Sequence, residues 1–138
     1  MLKDLKTGSP LPTIEKFIDQ KRMNQWARIS GDYNRLHVDP EYARQTPFKG
    51  TIAHGPMSLA FLNELMMKCF NEGWAVGGKL YGVRFVSPVK DGDRIRIGGV
   101  VTGISEKDGR RLVACDLFVE KEDGTKAVVG SGTACIPS

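Results

Sequence analysis

An antiparallel sheet curled around one long buried helix is the α+β fold this sequence predicts, and two observations predict it. Between residues 57 and 72 the apolar side chains Met57, Leu59, Ala60, Phe61, Leu62, Leu65, Met66, Met67, Cys69 and Phe70 cover nearly the whole circumference of a helix. A helix that is apolar all round is a buried one. Beyond Ala75 the apolar period changes to two, with strands expected at 79–87, 94–104, 111–121 and 127–136 and turns between them. A flat sheet of that size could not cover the helix on most sides, so the sheet must curl around it.

The other elements follow in chain order. Residues 11–18 alternate loosely, with Ile14 and Ile18 apolar against Glu15 and Lys16, and predict a short first strand. Residues 20–29 place Met23, Trp26, Ala27 and Ile29 at a helical spacing facing a core, and Ser30-Gly31 ends that helix. Asp39 can accept hydrogen bonds as an N-cap and Pro40 fits a first helical position, so a short helix runs to about Gln45. Residues 46–53 form a loop, His54-Gly55-Pro56 leads into the buried helix, and Gly73 stops it. Lys107-Asp108-Gly109 and Asp123-Gly124 are hairpin signals, and Val89-Lys90-Asp91-Gly92-Asp93 is a further turn. This is the hot-dog arrangement. One copy leaves a sheet face and part of the helix under-covered, so a homodimer or dimer-based oligomer is expected.

At 138 residues the chain is read as one domain, 1–138, and burial of roughly 68% of its unfolded surface supports a core without staples. A composition 41% hydrophobic and 26% charged excludes disorder. Twenty Lys and Arg against 16 Asp and Glu leave a net charge of +4, interleaved rather than clustered. That pattern argues against a nucleic-acid partner and allows a small anionic one. Cys69, Cys115 and Cys135 form no C-x-x-C pair, which excludes a disulfide framework and a cysteine zinc site. Charges at Lys3, Asp4 and Lys6 interrupt the stretch where a signal peptide would be apolar, and no apolar run is long enough to span a bilayer. A cytoplasmic protein without membrane attachment is expected.

The densest cluster of functional groups is Ser30-Gly31-Asp32-Tyr33-Asn34-Arg35-Leu36-His37-Val38-Asp39. Along a regular helix Asp32 and His37 would be rotated apart by about 140°, so a turn is needed to bring them together, and Gly31, Asn34 and Asp39-Pro40 are turn-forming residues. An Asp and a His so converged can hold one water, one group removing its proton while the other supplies a proton elsewhere. The same residues also fit a turn cap and a half-buried histidine. Downstream, Gly50-Thr51-Ile52-Ala53-His54-Gly55-Pro56-Met57 puts a glycine amide at the positive end of the buried helix, where N–H groups bind anions or a developing oxyanion. Pro56 has no N–H, leaving Gly55, Met57 and Ser58 as donors. Close packing would explain Gly55 equally well.

Together these segments resemble the MaoC-like family, the R-specific enoyl-CoA hydratases and dehydratases of hot-dog fold. The family pattern S-G-D-x-N-P-x-H appears as Ser30 to His37 and its I-x-H-G as Ile52-Ala53-His54-Gly55; Arg84-Phe85-Val86-Ser87-Pro88-Val89 with Gly92-Asp93 is a third match. The resemblance implies reversible hydration of a trans-2-enoyl thioester of short or medium chain to the R-3-hydroxyacyl thioester. Asp32 and His37 would be the acid/base pair, Gly55 the oxyanion donor, and Asn34 an ordering residue. Ser30, His54 and Arg35 would support them. The thioester would arrive on coenzyme A or acyl carrier protein, and no metal or redox cofactor is implied. Arg35 replaces the family's proline, which loosens the turn and adds a cation near the pocket.

Two rival readings remain. Glu64 lies in the buried helix where hot-dog acyl-CoA thioesterases carry a carboxylate, although Lys68 four residues on makes an ion pair the simpler account. A non-catalytic acyl-thioester binding module is the other. Lys79, Arg84, Lys90, Arg94 and Arg96 are basic residues available to coenzyme A phosphates, none singled out.

Overall fold

A computed structural model describes residues 2–137. After a 3-10 turn at Leu2–Asp4, the elements are β1 (Ile14–Phe17), α1 (Gln20–Ser30), α2 (Arg35–Val38), α3 (Pro40–Arg44), α4 (Gly55–Phe70), α5 (Glu72–Ala75), β2 (Lys79–Phe85), β3 (Arg94–Lys107), β4 (Arg110–Lys121) and β5 (Lys126–Pro137). The strands form one antiparallel sheet in the order β1-β3-β4-β5-β2. Alternate residues Ile95, Ile97 and Val101 of β3, and Val113, Cys115, Leu117 and Val119 of β4, are buried on its inner face. There they meet Leu62, Leu65, Met66, Cys69 and Phe70 of α4 in one core. A Cβ on Gly132 would stand 3.3 Å from the Met66 side chain and 3.0 Å from Leu117, so a bare glycine lets α4 approach β5. Among the described residues no helix is long and apolar enough to cross a membrane.

The strands and the buried helix stand where expected, with local differences that have physical causes. The first strand is shorter than 11–18, because Pro10 and Pro12 bring no N–H to a ladder. Pro10 makes only an isolated bridge to Val100, although Leu11 still donates to Gly99 at 2.9 Å. In α1, Met23 and Ala27 are buried, but Ile29 is 80% exposed. The segment before Asp39 contains an extra helical turn, α2, with Asn34 as its N-cap, and Asp39 then caps α3 as expected. α4 begins at Gly55 rather than Met57, and Met67 on its outer side is exposed. Its end is set by Asn71, at φ 49°, not by Gly73. Gly73 lies inside α5, where a Cβ would meet the Cys135 carbonyl oxygen at 2.6 Å. Asp108 and Gly109 have φ of 52° and 74°, the two positive values that suit a two-residue hairpin between β3 and β4.

Candidate active site

The segment 30–38 turns back on itself through a chain of short-range hydrogen bonds. Gly31 ends α1 at φ 78° with its N–H on the Ala27 carbonyl. Ser30 Oγ accepts from Asp32 N–H at 3.2 Å, Asp32 Oδ1 from Asn34 N–H at 3.1 Å, and Asn34 Oδ1 from Leu36 N–H at 3.0 Å. Ser30, Asp32 and Asn34 thus each use a side-chain oxygen to shape the turn. The result brings Asp32 Oδ2 to 3.9 Å from His37 Nε2, with the aspartate side chain 50% exposed and the histidine 14%. That separation is too long for a direct hydrogen bond and leaves room for a bridging oxygen.

His37 is fixed by its other nitrogen and its backbone. A carbonyl oxygen can only accept, so Nδ1 carries the proton that reaches Ile52 O at 2.8 Å. A neutral His37 therefore has its lone pair on Nε2, on the Asp32 side. The His37 carbonyl accepts from Gln20 Nε2 at 2.8 Å, and Gln20 Oε1 accepts from the buried Thr51 hydroxyl at 2.6 Å. Gln20 thereby ties the start of α1 to both motif segments. Neither it nor the Ile52 carbonyl has a signal in residue type; the second motif marks Ile52 by position alone.

His54 sits beneath this pair. It is 1% exposed, its ring stacks on that of His37 at 3.9 Å between centroids and 26° between planes, and Nε2 donates to the Asp32 carbonyl at 3.0 Å. Its Nδ1 is buried without a partner among the described residues. Burial holds the His54 pKa below its ordinary value and His37 pushes the same way, while the Asp32 carbonyl opposes them. Ligand atoms of Asp32, His37 and His54 lie within 4.8 Å of one another, with His37 Nδ1 and His54 Nε2 already engaged by the Ile52 and Asp32 carbonyls.

Gly55 opens α4, and its N–H has no acceptor among the described residues. The Met57 N–H, a candidate donor from sequence, is spent on the His54 carbonyl at 3.1 Å. Phe85, at the end of β2, lies over Gly55 so closely that a Cβ there would be 3.1 Å from its ring. A cavity of about 350 Å³ is lined by His37, Ile52, Gly55 and Ser58 on one side and by Phe85, Val86, Pro88 and Val128 on the other. The larger groove, about 740 Å³, lies beside β1 and is lined by Lys16, Arg94, Arg96, Glu120 and Glu122. It contains none of the motif residues, and most of its charges are paired: Arg94 with Glu122 and Arg96 with Glu120 within it, Lys16 with Glu64 and Lys121 with Asp93 outside it.

Two other residues singled out from sequence are engaged elsewhere. The Arg35 guanidinium bonds Asp39 through Nε and Nη2 at 3.1 and 3.0 Å and lies 4.4 Å over the Tyr42 ring, so its charge is not presented to the cavity. Arg35 occupies the first helical position of α2, where a proline would also fit; the ion pair to Asp39 supplies a different restraint on the same turn. Glu64 is held by Lys16 at 2.7 Å and Lys68 at 3.1 Å. Lys16 above all keeps its pKa below the ordinary carboxylate value.

Comparison with known proteins agrees with this architecture. The 3-hydroxyacyl-thioester dehydratase Z of Mycobacterium tuberculosis is 38% identical over 113 residues, covering 79% of this chain and 75% of that protein. The (R)-specific enoyl-CoA hydratase of Rhodospirillum rubrum is 31% identical over 104 residues, 73% of this chain and 69% of its own length. The unliganded R-hydratase PhaJ1 of Pseudomonas aeruginosa superposes with a TM-score of 0.82 at 28% identity, covering 99% of this chain and 84% of that one. The family model described as MaoC like domain matches residues 4–122, and with the hot-dog sheet, the converged Asp32 and His37 and the glycine-opened helix already in place, the chain belongs to that family.

Proposed function

We propose that this protein is a cytoplasmic hydro-lyase that reversibly hydrates short- or medium-chain trans-2-enoyl thioesters to R-3-hydroxyacyl thioesters. The carrying observation is a carboxylate and an imidazole 3.9 Å apart, the imidazole lining a cavity that the free Gly55 N–H also borders. Gly55 would polarise the thioester carbonyl, drawing negative charge onto its oxygen as C2–C3 loses its double bond. Water held between Asp32 and His37 attacks C3. One of the pair takes the water proton and a proton is returned to C2, so one water is consumed and the pair ends as it began. The reading calls on no metal or redox cofactor, because the amide supplies the electrophile. The engaged Glu64 weighs against a thioesterase, and the three free cysteines suit a reducing compartment.

The test is turnover of crotonyl-CoA, following loss of the enoyl absorbance alongside free-thiol release. Asp32→Ala and His37→Ala should each lower hydration by about 10² to 10⁴-fold, and the double variant should be little worse than the worse single one. Glu64→Ala should leave hydration intact. Thiol release that Glu64→Ala abolishes, with hydration absent, would install the thioesterase in its place. Binding without any turnover by the wild type would make the protein a non-catalytic module.

A further inference from the structure

Ser58 is 4% exposed, and it is a polar residue on a helix whose other buried positions are apolar. It lines the same cavity as His37 and Gly55. A buried helical serine ordinarily turns its hydroxyl back to the carbonyl four residues earlier, which here is His54. That carbonyl accepts the Met57 N–H at 3.1 Å, and the Ser58 hydroxyl makes no hydrogen bond to any group among the described residues. The Ser58 oxygen is not one of the buried atoms without a partner, which among the described residues are Trp26 Nε1 and His54 Nδ1; it is open to the cavity, so its donor is free for a group that enters there.

Helix geometry identifies which part of that partner it meets. Residues three apart share a helical face, and side chains lean toward the helix N-terminus. Ser58 therefore leans back over Gly55, which has no side chain to intervene and whose N–H is also unspent. Both donors border the same cavity as His37. We propose that Ser58 is a further catalytic residue, its hydroxyl donating to the thioester carbonyl oxygen together with the Gly55 amide. This rests on the hydratase reading and deepens it: a sequence survey finds the glycine from its motif, but nothing in residue type separates Ser58 from a packing serine.

A second donor aimed at the developing oxyanion strengthens as charge grows on the oxygen, so its loss shows in kcat more than in KM. Ser58→Ala should lower kcat for crotonyl-CoA hydration by roughly ten- to a hundredfold with KM within about twofold, and Ser58→Thr, which keeps a hydroxyl, should recover most of the loss. Melting curves on both variants should stay near wild type, since alanine removes an oxygen that holds no hydrogen bond within the described residues. Wild-type kcat in Ser58→Ala, a loss confined to KM, or a threonine variant that melts normally yet is as slow as alanine would overturn the role while leaving the hydratase reading standing. A wild-type protein that hydrates no enoyl thioester would overturn both.

Discussion

Replacing Gly55 by alanine separates the amide's chemical role from its place in the packing. The added Cβ would stand 3.1 Å from Phe85 Cε1 and Cζ and 3.5 Å from Cδ1. Carbon atoms rest comfortably at about 3.5–4.0 Å, so the ring must retreat by roughly half an ångström. Phe85 ends an edge strand and is 56% exposed, which gives it room to do so. The overpacking cost should then fall at the low end of the usual range, about 1 kcal/mol. Exchanging glycine for alanine in a helix returns up to a similar amount, so the melting temperature should move by only a few degrees. Catalysis should respond differently: the Cβ and the displaced ring crowd the one free N–H, and loss of an oxyanion donor costs about 10² to 10³-fold in kcat. Crotonyl-CoA hydration and thermal melting on the same preparation decide the matter. A Gly55→Ala protein within about threefold of wild-type kcat would refute the crowding on which this loss rests. Full recovery in Gly55→Ala combined with Phe85→Leu would assign the loss to the displaced ring rather than to the Cβ, since alanine keeps the N–H.

Two further outcomes are expected. His54 is held neutral below its unfolded value of about 6.5, so over that window the unfolded chain binds more protons and stability rises with pH. Acidification from about pH 7 to about pH 5 should lower the melting temperature, and His54→Gln should flatten that part of the slope; a slope unchanged in the variant would contradict it. The sheet ends on β2, an unpaired edge among the described residues that exposes Tyr81, so ultracentrifugation should return about twice the 15.2 kDa chain mass. A fully active monomer at micromolar concentration would remove the dimer.

The parts of the fold legible in sequence are those where one local signal has one structural meaning. Asp108-Gly109 supplies two positive φ angles, and the apolar run of α4 has nowhere to go but the core. Where two residues compete, sequence is less decisive: Asn71 and Gly73 both break helices, and only the close approach of Cys135 shows that Gly73 is there for packing. Ile29 is apolar and correctly spaced, yet it lies in the last turn of α1, beyond anything that could cover it. At the site, Asp32, His37 and Gly55 could be named because their chemistry is written in their side chains or in the lack of one. Gln20 and the Ile52 carbonyl act through long-range hydrogen bonds, 17 and 15 residues from His37 along the chain, and no short window contains such pairs. Arg35 shows the reverse error, a charge near a motif whose guanidinium the fold gives to Asp39 and Tyr42.

The cavity's two walls come from separate stretches of the chain, the reactive groups from 37–58 and the opposite side from the end of β2, the turn beyond it and Val128 of β5. That division of labour lets the two be altered independently. Exchanges at Val86 or Ser87 would reshape the space for an acyl tail while leaving the hydrogen-bond scaffold of Gln20, Ile52 and His54 untouched. A chain built this way can drift in what it accepts without drifting in what it does. Diversification among its relatives should accordingly concentrate on that strand end and its turn, the cheapest place in the molecule to change.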